Sequence, residues 1–199
     1  MIIPIIVFII VIVVHEVAHG YTAYLLGDDT AKNAGRLSLN PIVHADIVGT
    51  IILPVFLIAV HSPVIFGWAK PVPINPRNFK NPRKGILLSS LAGPAANFCL
   101  AVLFALIFKT GIFAPHSIGW TFLATGIIIS LVLGIFNLIP IPPLDGSNIL
   151  MAVLPLKFLN VFARIEKYGF IILIVLLYLG LFDRFILPLV SFLTKVLIG

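Results

Sequence analysis

Four stretches of this chain, residues 1–26, 47–68, 85–108 and 117–139, run on with few or no charges. Their length sets the solvent before it sets the fold. A hydrocarbon layer about 30 Å thick is crossed by ~20 apolar residues of helix, and uncharged runs of that length have no place in a small soluble core. In lipid every backbone N–H and C=O must be satisfied within its own segment, so each run is expected to be helical. Composition agrees: 60% of the 199 residues are apolar, 10% are charged and the mean hydropathy is +1.18, values foreign to soluble domains. The expected fold is an all-α membrane protein, a polytopic bundle of about 5–6 transmembrane helices. One membrane-embedded domain would fill residues 1–199, with its core in 1–150 and C-terminal helices in 151–199.

The net charge of +6 does not indicate nucleic acid, because the Lys and Arg residues lie between the apolar runs, where membrane orientation accounts for them. Reading the runs as successive crossings puts Lys70, Arg77, Lys80, Arg83 and Lys84, with Lys157, Arg164 and Lys167, on the side of the N-terminus. Lys32, Arg36 and Lys109 fall opposite. The positive-inside rule then predicts a multi-pass protein of the cell membrane with a cytoplasmic N-terminus. The apolar start lacks the basic n-region of a secretory signal and is expected to be retained. Cys99, the single cysteine, has no disulfide partner and reads as a small buried hydrophobe.

Two connections carry pattern. Between the first two helices, residues 30–40 mix small, polar and apolar types, and Arg36, Leu37, Ser38, Leu39 and Asn40 suggest a short strand or hairpin. Pro71, Pro73, Pro76 and Pro82 make residues 70–82 extended and non-helical. Past Asp145 the pattern allows either one long tilted helix or a helical hairpin.

Chemistry is concentrated in His15-Glu16-Val17-Ala18-His19. At 3.6 residues per turn the two histidines share one helical face and can share one metal ion, with Glu16 beside that face to take a proton from a bound water. Two imidazoles, one carboxylate and an open position suit zinc. The 14 residues from Met1 to His15 span roughly 21 Å of helix, and an ionisable residue at that depth costs ~3 kcal/mol, which argues for function. A third ligand must come from Asp28, Asp29, Asp46, Asp145, Glu166 or Asp183. Asp145 stands out because Pro140, Pro142 and Pro143 break the helix before it, and broken helices at membrane depth line cavities. An ordinary proline-rich turn with Asp145 capping the next helix is the alternative.

The chain resembles the site-2 protease family of intramembrane zinc metalloproteases, in the minimal prokaryotic form without PDZ or CBS domains. The resemblance is carried by His15-Glu16-x-x-His19 and by Asn137-x-x-Pro140 leading to Leu144-Asp145-Gly146. Between them, Asn40-Pro41-x-x-His44-x-Asp46, Gly67-Trp68-Ala69-Lys70-Pro71 and Ala92-Gly93-Pro94-x-x-Asn97 are similar too. It implies that His15, His19 and Asp145 ligate one Zn2+ per chain, that Glu16 is the general base, and that Asn97 and Asn137 support substrate or oxyanion. His44 and Asp46 are expected to be structural. The segment Arg36 to Asn40 would capture an extended substrate by β-addition. The implied partners are membrane-protein substrates with a transmembrane segment and the lipid bilayer, and the implied process is regulated intramembrane proteolysis. A prenyl-protein-processing type of membrane zinc protease is the first rival and would need a downstream glutamate. A metal transporter is the second, and would spread its ligands along a path.

Overall fold

A computed structural model describes residues 2–52, 55, 56, 59 and 69–199. Its helices are α1 (Ile2–Leu25), α2 (Thr30–Asn33), α3 (Pro82–Lys109), α4 (Ile118–Asn137), α5 (Asp145–Val153), α6 (Leu156–Glu166), α7 (Gly169–Tyr178) and α8 (Leu187–Ile198). Three of them, α1, α3 and α4, are long and apolar enough to cross a membrane. A fourth crossing is possible where α7 and the segment Phe182–Ile198 meet at a bend of 69°. That bend, at Gly180 with φ +90°, speaks against the straight long helix of the two forms the sequence allowed. The expected second span lies mostly outside the described residues, as do Gly67 and Trp68; its start, Ile47–Ile52, is a wide π turn.

The long helices pack through stripes that repeat every four residues. On α1 the buried stripe is Val7, Val11, His15, His19 and Ala23, while Ile2, Ile5, Ile6 and Ile9 face outward. The histidines therefore sit on the same face as the core. On α3 the matching stripe is Gly85, Ser89, Gly93, Asn97, Ala101 and Ala105, mostly small residues that let backbones approach closely. The starts of α3 and α4 are marked locally. Asn81 accepts from the Lys84 N–H ahead of Pro82, and Ser117 accepts from the Trp120 N–H. The apolar core below the histidines joins Val7 and Val11 to Ala101, Phe104, Ile127 and Leu131, with Ile186 and Val190 closing it. Cys99 is exposed on the outer face of α3, contrary to the expectation of burial.

No strand forms among the described residues, so the expected strand or hairpin at residues 30–40 is corrected. Gly35 turns with φ +67°, Arg36 is buried to 6% exposure, and Asn40 caps a 3-10 turn, Pro41–His44. The segment is fixed by side-chain bonds, which leaves no backbone ladder to build a strand.

The placement of residues 69–84 on the N-terminal side is also corrected. His19 meets Ser89 and His15 meets Asn97, so α3 runs antiparallel to α1 and starts at the C-terminal end of α1. The residues before it follow suit: the Asn75 N–H and the Asn78 amide both donate to Asp28, just past α1. The proline-rich strap thus runs along α1, from Val72 beside Glu16 to Asn75 at Asp28, and leads Arg77 and Lys80 to the C-terminal end of that helix.

Asp28 is the latch of this arrangement. It is 0% exposed and accepts from the Thr30 N–H and hydroxyl, the Asn75 N–H and the Asn78 amide. Burial pushes its pKa up, but the bonds from Thr30, Asn75 and Asn78 outweigh it and hold the carboxyl below its usual range. A lowered folded pKa contributes stability that is full above the unfolded value of about 4 and is lost as pH falls through the folded value. Asp28→Ala should therefore cost ~2 kcal/mol or more at neutral pH, with the gap to wild type shrinking below about pH 4, as read by thermal unfolding in detergent across pH.

Candidate metal centre

Two helices supply the centre. His15 and His19 project from consecutive turns of α1, and Asp145 stands in the first turn of α5 where the proline run ends. Gly146 makes the turn possible: a Cβ there would strike the carbonyls of Leu138 and Ile139. The Nε2 atoms of His15 and His19 are 2.9 Å apart, and Asp145 Oδ2 lies 3.1 and 3.2 Å from them. Among the described residues this is the one group of three His, Cys, Asp or Glu side chains able to hold a metal ion.

The donor set fits zinc. Ligand atoms ~2.0–2.1 Å from a tetrahedral zinc stand roughly 3.3 Å from one another, close to this triangle, and a fourth position stays open. Asp145 Oδ2 is buried without a hydrogen-bond partner, which is costly for a carboxylate unless a cation faces it. Both histidines are buried, at 4% and 7% exposure. His19 donates from Nδ1 to the Ser89 carbonyl at 2.7 Å, and His15 Nδ1 lies 2.9 Å from the Asn97 amide. Each imidazole is thus anchored on α3 by its far nitrogen while Nε2 points at Asp145.

Glu16, beside the pair, accepts the Val72 N–H at 2.8 Å. The strap that presents this N–H is itself clamped: Lys70 donates its N–H to the His44 carbonyl, and the Arg36 guanidinium donates to the carbonyls of Lys70 and Pro71. Arg36 is therefore a clamp on the strap, in a segment that forms no strand in this structure. Leu37 packs on Gly20, and the Ser38 carbonyl accepts from His44 Nε2 at 2.7 Å. Leu39 is exposed, and Asn40 caps the turn that follows. His44, fully buried, holds this loop, and Asp46 accepts the Gly49 N–H.

Asn137, half-buried, donates to the Leu133 carbonyl of its own helix. Three contributors escaped sequence reasoning. Ser89 and Val72 act through main-chain atoms, which leave no residue signature. Gly93 faces both imidazoles, where a Cβ would overlap His19 Nε2 and His15 Cε1. Its place in the Ala92-Gly93-Pro94 motif was visible, but the packing reason was not.

Comparisons with known proteins agree with this geometry. Residues 112–180 match the model of peptidase family M50. The Bacillus subtilis protein named "Putative zinc metalloprotease YwhC" is 44% identical over 169 residues, covering 81% of this chain and 74% of the relative. Mycolicibacterium smegmatis "Putative zinc metalloprotease Rip2" is 32% identical over 176 residues, 88% of this chain and 66% of that protein. "Zinc metalloprotease MJ0392" of Methanocaldococcus jannaschii is 37% identical over 79 residues, 40% of this chain and 23% of its own. No solved structure matches. The apolar helices and these relatives define the class, a membrane zinc metalloprotease. The chain belongs to peptidase family M50, in keeping with the resemblance to site-2 proteases.

Because Gly93 leaves no room for a side chain, Gly93→Ala should displace the imidazoles and weaken zinc retention roughly tenfold or more. Elemental analysis after dialysis against a graded chelator checks this, with helical content by circular dichroism as the control.

Proposed function

We propose that this protein is a site-2-type intramembrane metalloprotease that hydrolyses peptide bonds in or near the transmembrane segments of other membrane proteins, as in regulated intramembrane proteolysis. The observation that carries the reading is the convergence of His15, His19 and Asp145 on one buried point with Glu16 alongside. On this reading His15, His19 and Asp145 hold one zinc ion per chain. When bound, that ion supplies Lewis-acid polarisation of the scissile carbonyl and lowers the pKa of water.

The rest falls to the chain's own groups. Glu16 has one oxygen engaged by the Val72 N–H, and its other oxygen takes the proton of the attacking water and passes it to the leaving amide nitrogen. Asn137, at the end of α4 ahead of Asp145, is the amide assigned to substrate or oxyanion support. A transmembrane helix hides its peptide bonds, so substrate must unwind locally to enter. The proposed partners are therefore single-span or polytopic membrane proteins and the surrounding lipid. Glu166, the ligand a prenyl-processing rival would need, is exposed at the end of α6 and does not join the triangle. Ligands gathered at one point also suit catalysis better than a transport path.

The corrected topology reverses the expected orientation. Lys32, Arg77, Lys80, Arg83 and Lys84 are all exposed at the C-terminal end of α1, while Lys109 lies at the other. By the positive-inside rule, the C-terminal end of α1 faces the cytoplasm and Met1 the outside. In a Cys99→Ser background, Lys84→Cys in intact cells should resist a membrane-impermeant maleimide and Lys109→Cys should react. The reverse pattern would restore a cytoplasmic N-terminus.

Purified wild-type protein should contain about one zinc per chain and cleave a single-span substrate. Glu16→Gln should keep zinc and lose ~10²–10⁴-fold in turnover. Asp145→Ala should lose zinc affinity. Cleavage surviving in Glu16→Gln would sink the protease reading, and unchanged zinc in Asp145→Ala would remove the third ligand.

A further inference from the structure

Asn97 was expected to support substrate, yet its side chain is 0% exposed and contacts the far side of a metal-site histidine. Its amide nitrogen is 2.9 Å from His15 Nδ1, and its Oδ1 is buried without a partner. The two ends of a carboxamide have the same shape, so which end faces a neighbour is decided by hydrogen-bond chemistry.

That chemistry is constrained from the other histidine. The Ser89 carbonyl can only accept, so His19 carries its proton on Nδ1 and presents a bare Nε2. His15 must do the same if both Nε2 atoms are to serve one ion. With the amide NH2 against His15 Nδ1, the His15 proton is forced onto Nε2, the nitrogen that faces His19 Nε2 at 2.9 Å and Asp145 Oδ2 at 3.1 Å and would have to be bare to bind an ion. Turning the amide over only exchanges its nitrogen and oxygen and leaves every other heavy atom in place. It sets Oδ1 against Nδ1, lets Nδ1 keep the proton, and frees Nε2.

We propose that Asn97 is a positioning residue for the metal centre: its amide oxygen accepts the Nδ1–H of His15 and holds His15 in the tautomer that can bind metal. This rests on the metalloprotease reading and deepens it. Two acceptors on one face of α3, the Ser89 carbonyl and the Asn97 carboxamide, then set both imidazoles of α1 in the same way. Asn97 acts through His15 and touches no substrate.

The test uses full-length protein in detergent with Zn2+ alone as the probe, titrated against a fluorescent chelator, beside the visible spectrum of the Co2+-substituted protein. Asn97→Asp keeps the shape and offers only acceptors, so it should bind zinc as tightly as wild type or tighter and keep the four-coordinate cobalt spectrum. Asn97→Leu cannot accept and should bind zinc about 10–100-fold more weakly. Weakening by tenfold in Asn97→Asp would overturn the proposal even if Asn97→Leu fails to fold. Wild-type zinc affinity in Asn97→Leu, with cleavage alone reduced, would overturn it in favour of a substrate contact. A wild-type protein that binds no zinc would overturn the metalloprotease reading itself, an outcome distinct from both.

Discussion

The close antiparallel approach of α1 and α3 is the contact on which the other features depend. It is possible because Gly93 presents no side chain to His15 and His19, and because the stripe from Gly85 to Ala105 is made of small residues. In lipid, helix association draws no hydrophobic gain from leaving water, so van der Waals fit and internal polar bonds must supply the attraction. Here the polar bonds are those that orient the imidazoles. Packing and chemistry are therefore served by the same few atoms, the Ser89 carbonyl and the Asn97 amide on one side and two histidine rings on the other.

Around this pair the remaining parts are brought in by chain that is not regular. The proline run from Pro140 to Pro143 ends α4 and lets α5 begin at Asp145, so a carboxylate reaches a point that a continuous helix would have passed. The strap through Val72 lies against α1 because prolines deny it a helix while Arg36, His44 and Glu16 satisfy its main-chain groups one by one. Irregular backbone at this depth is tolerated when it is bonded within protein, and each of these bonds serves that end.

Much of this was legible in the sequence, for physical reasons that differ from part to part. The long helices α1, α3 and α4 were legible because uncharged runs in lipid have one way to satisfy their backbones. The pairing of His15 with His19 was legible because an i, i+4 spacing fixes a shared face, and Asp145 because prolines announce a break. The path of residues 69–75 was not, since main-chain bonds to residues far away in sequence leave no periodic trace. Counting apolar runs as simple crossings then put the strap at the wrong end of α1. The strand expected at Arg36 to Asn40 failed because pattern alone could not reveal that Arg36 turns inward to clamp two carbonyls.

The bonds that hold Glu16 and His19 come from main-chain atoms, Val72 N–H and Ser89 C=O, whereas the bond on His15 and two of those on the strap come from side chains, Asn97 and Arg36. A main-chain donor is inherited by any residue except proline, and a main-chain carbonyl by every residue. Mutational robustness is thus built unevenly into the centre. Positions 72 and 89 can drift in identity, limited only by the room beside Gly20 and within the helix pair, without loosening what they hold. Positions 36 and 97 have less latitude, because only a side chain that supplies the same donor or acceptor there, as Asp would at 97, keeps the geometry of the centre.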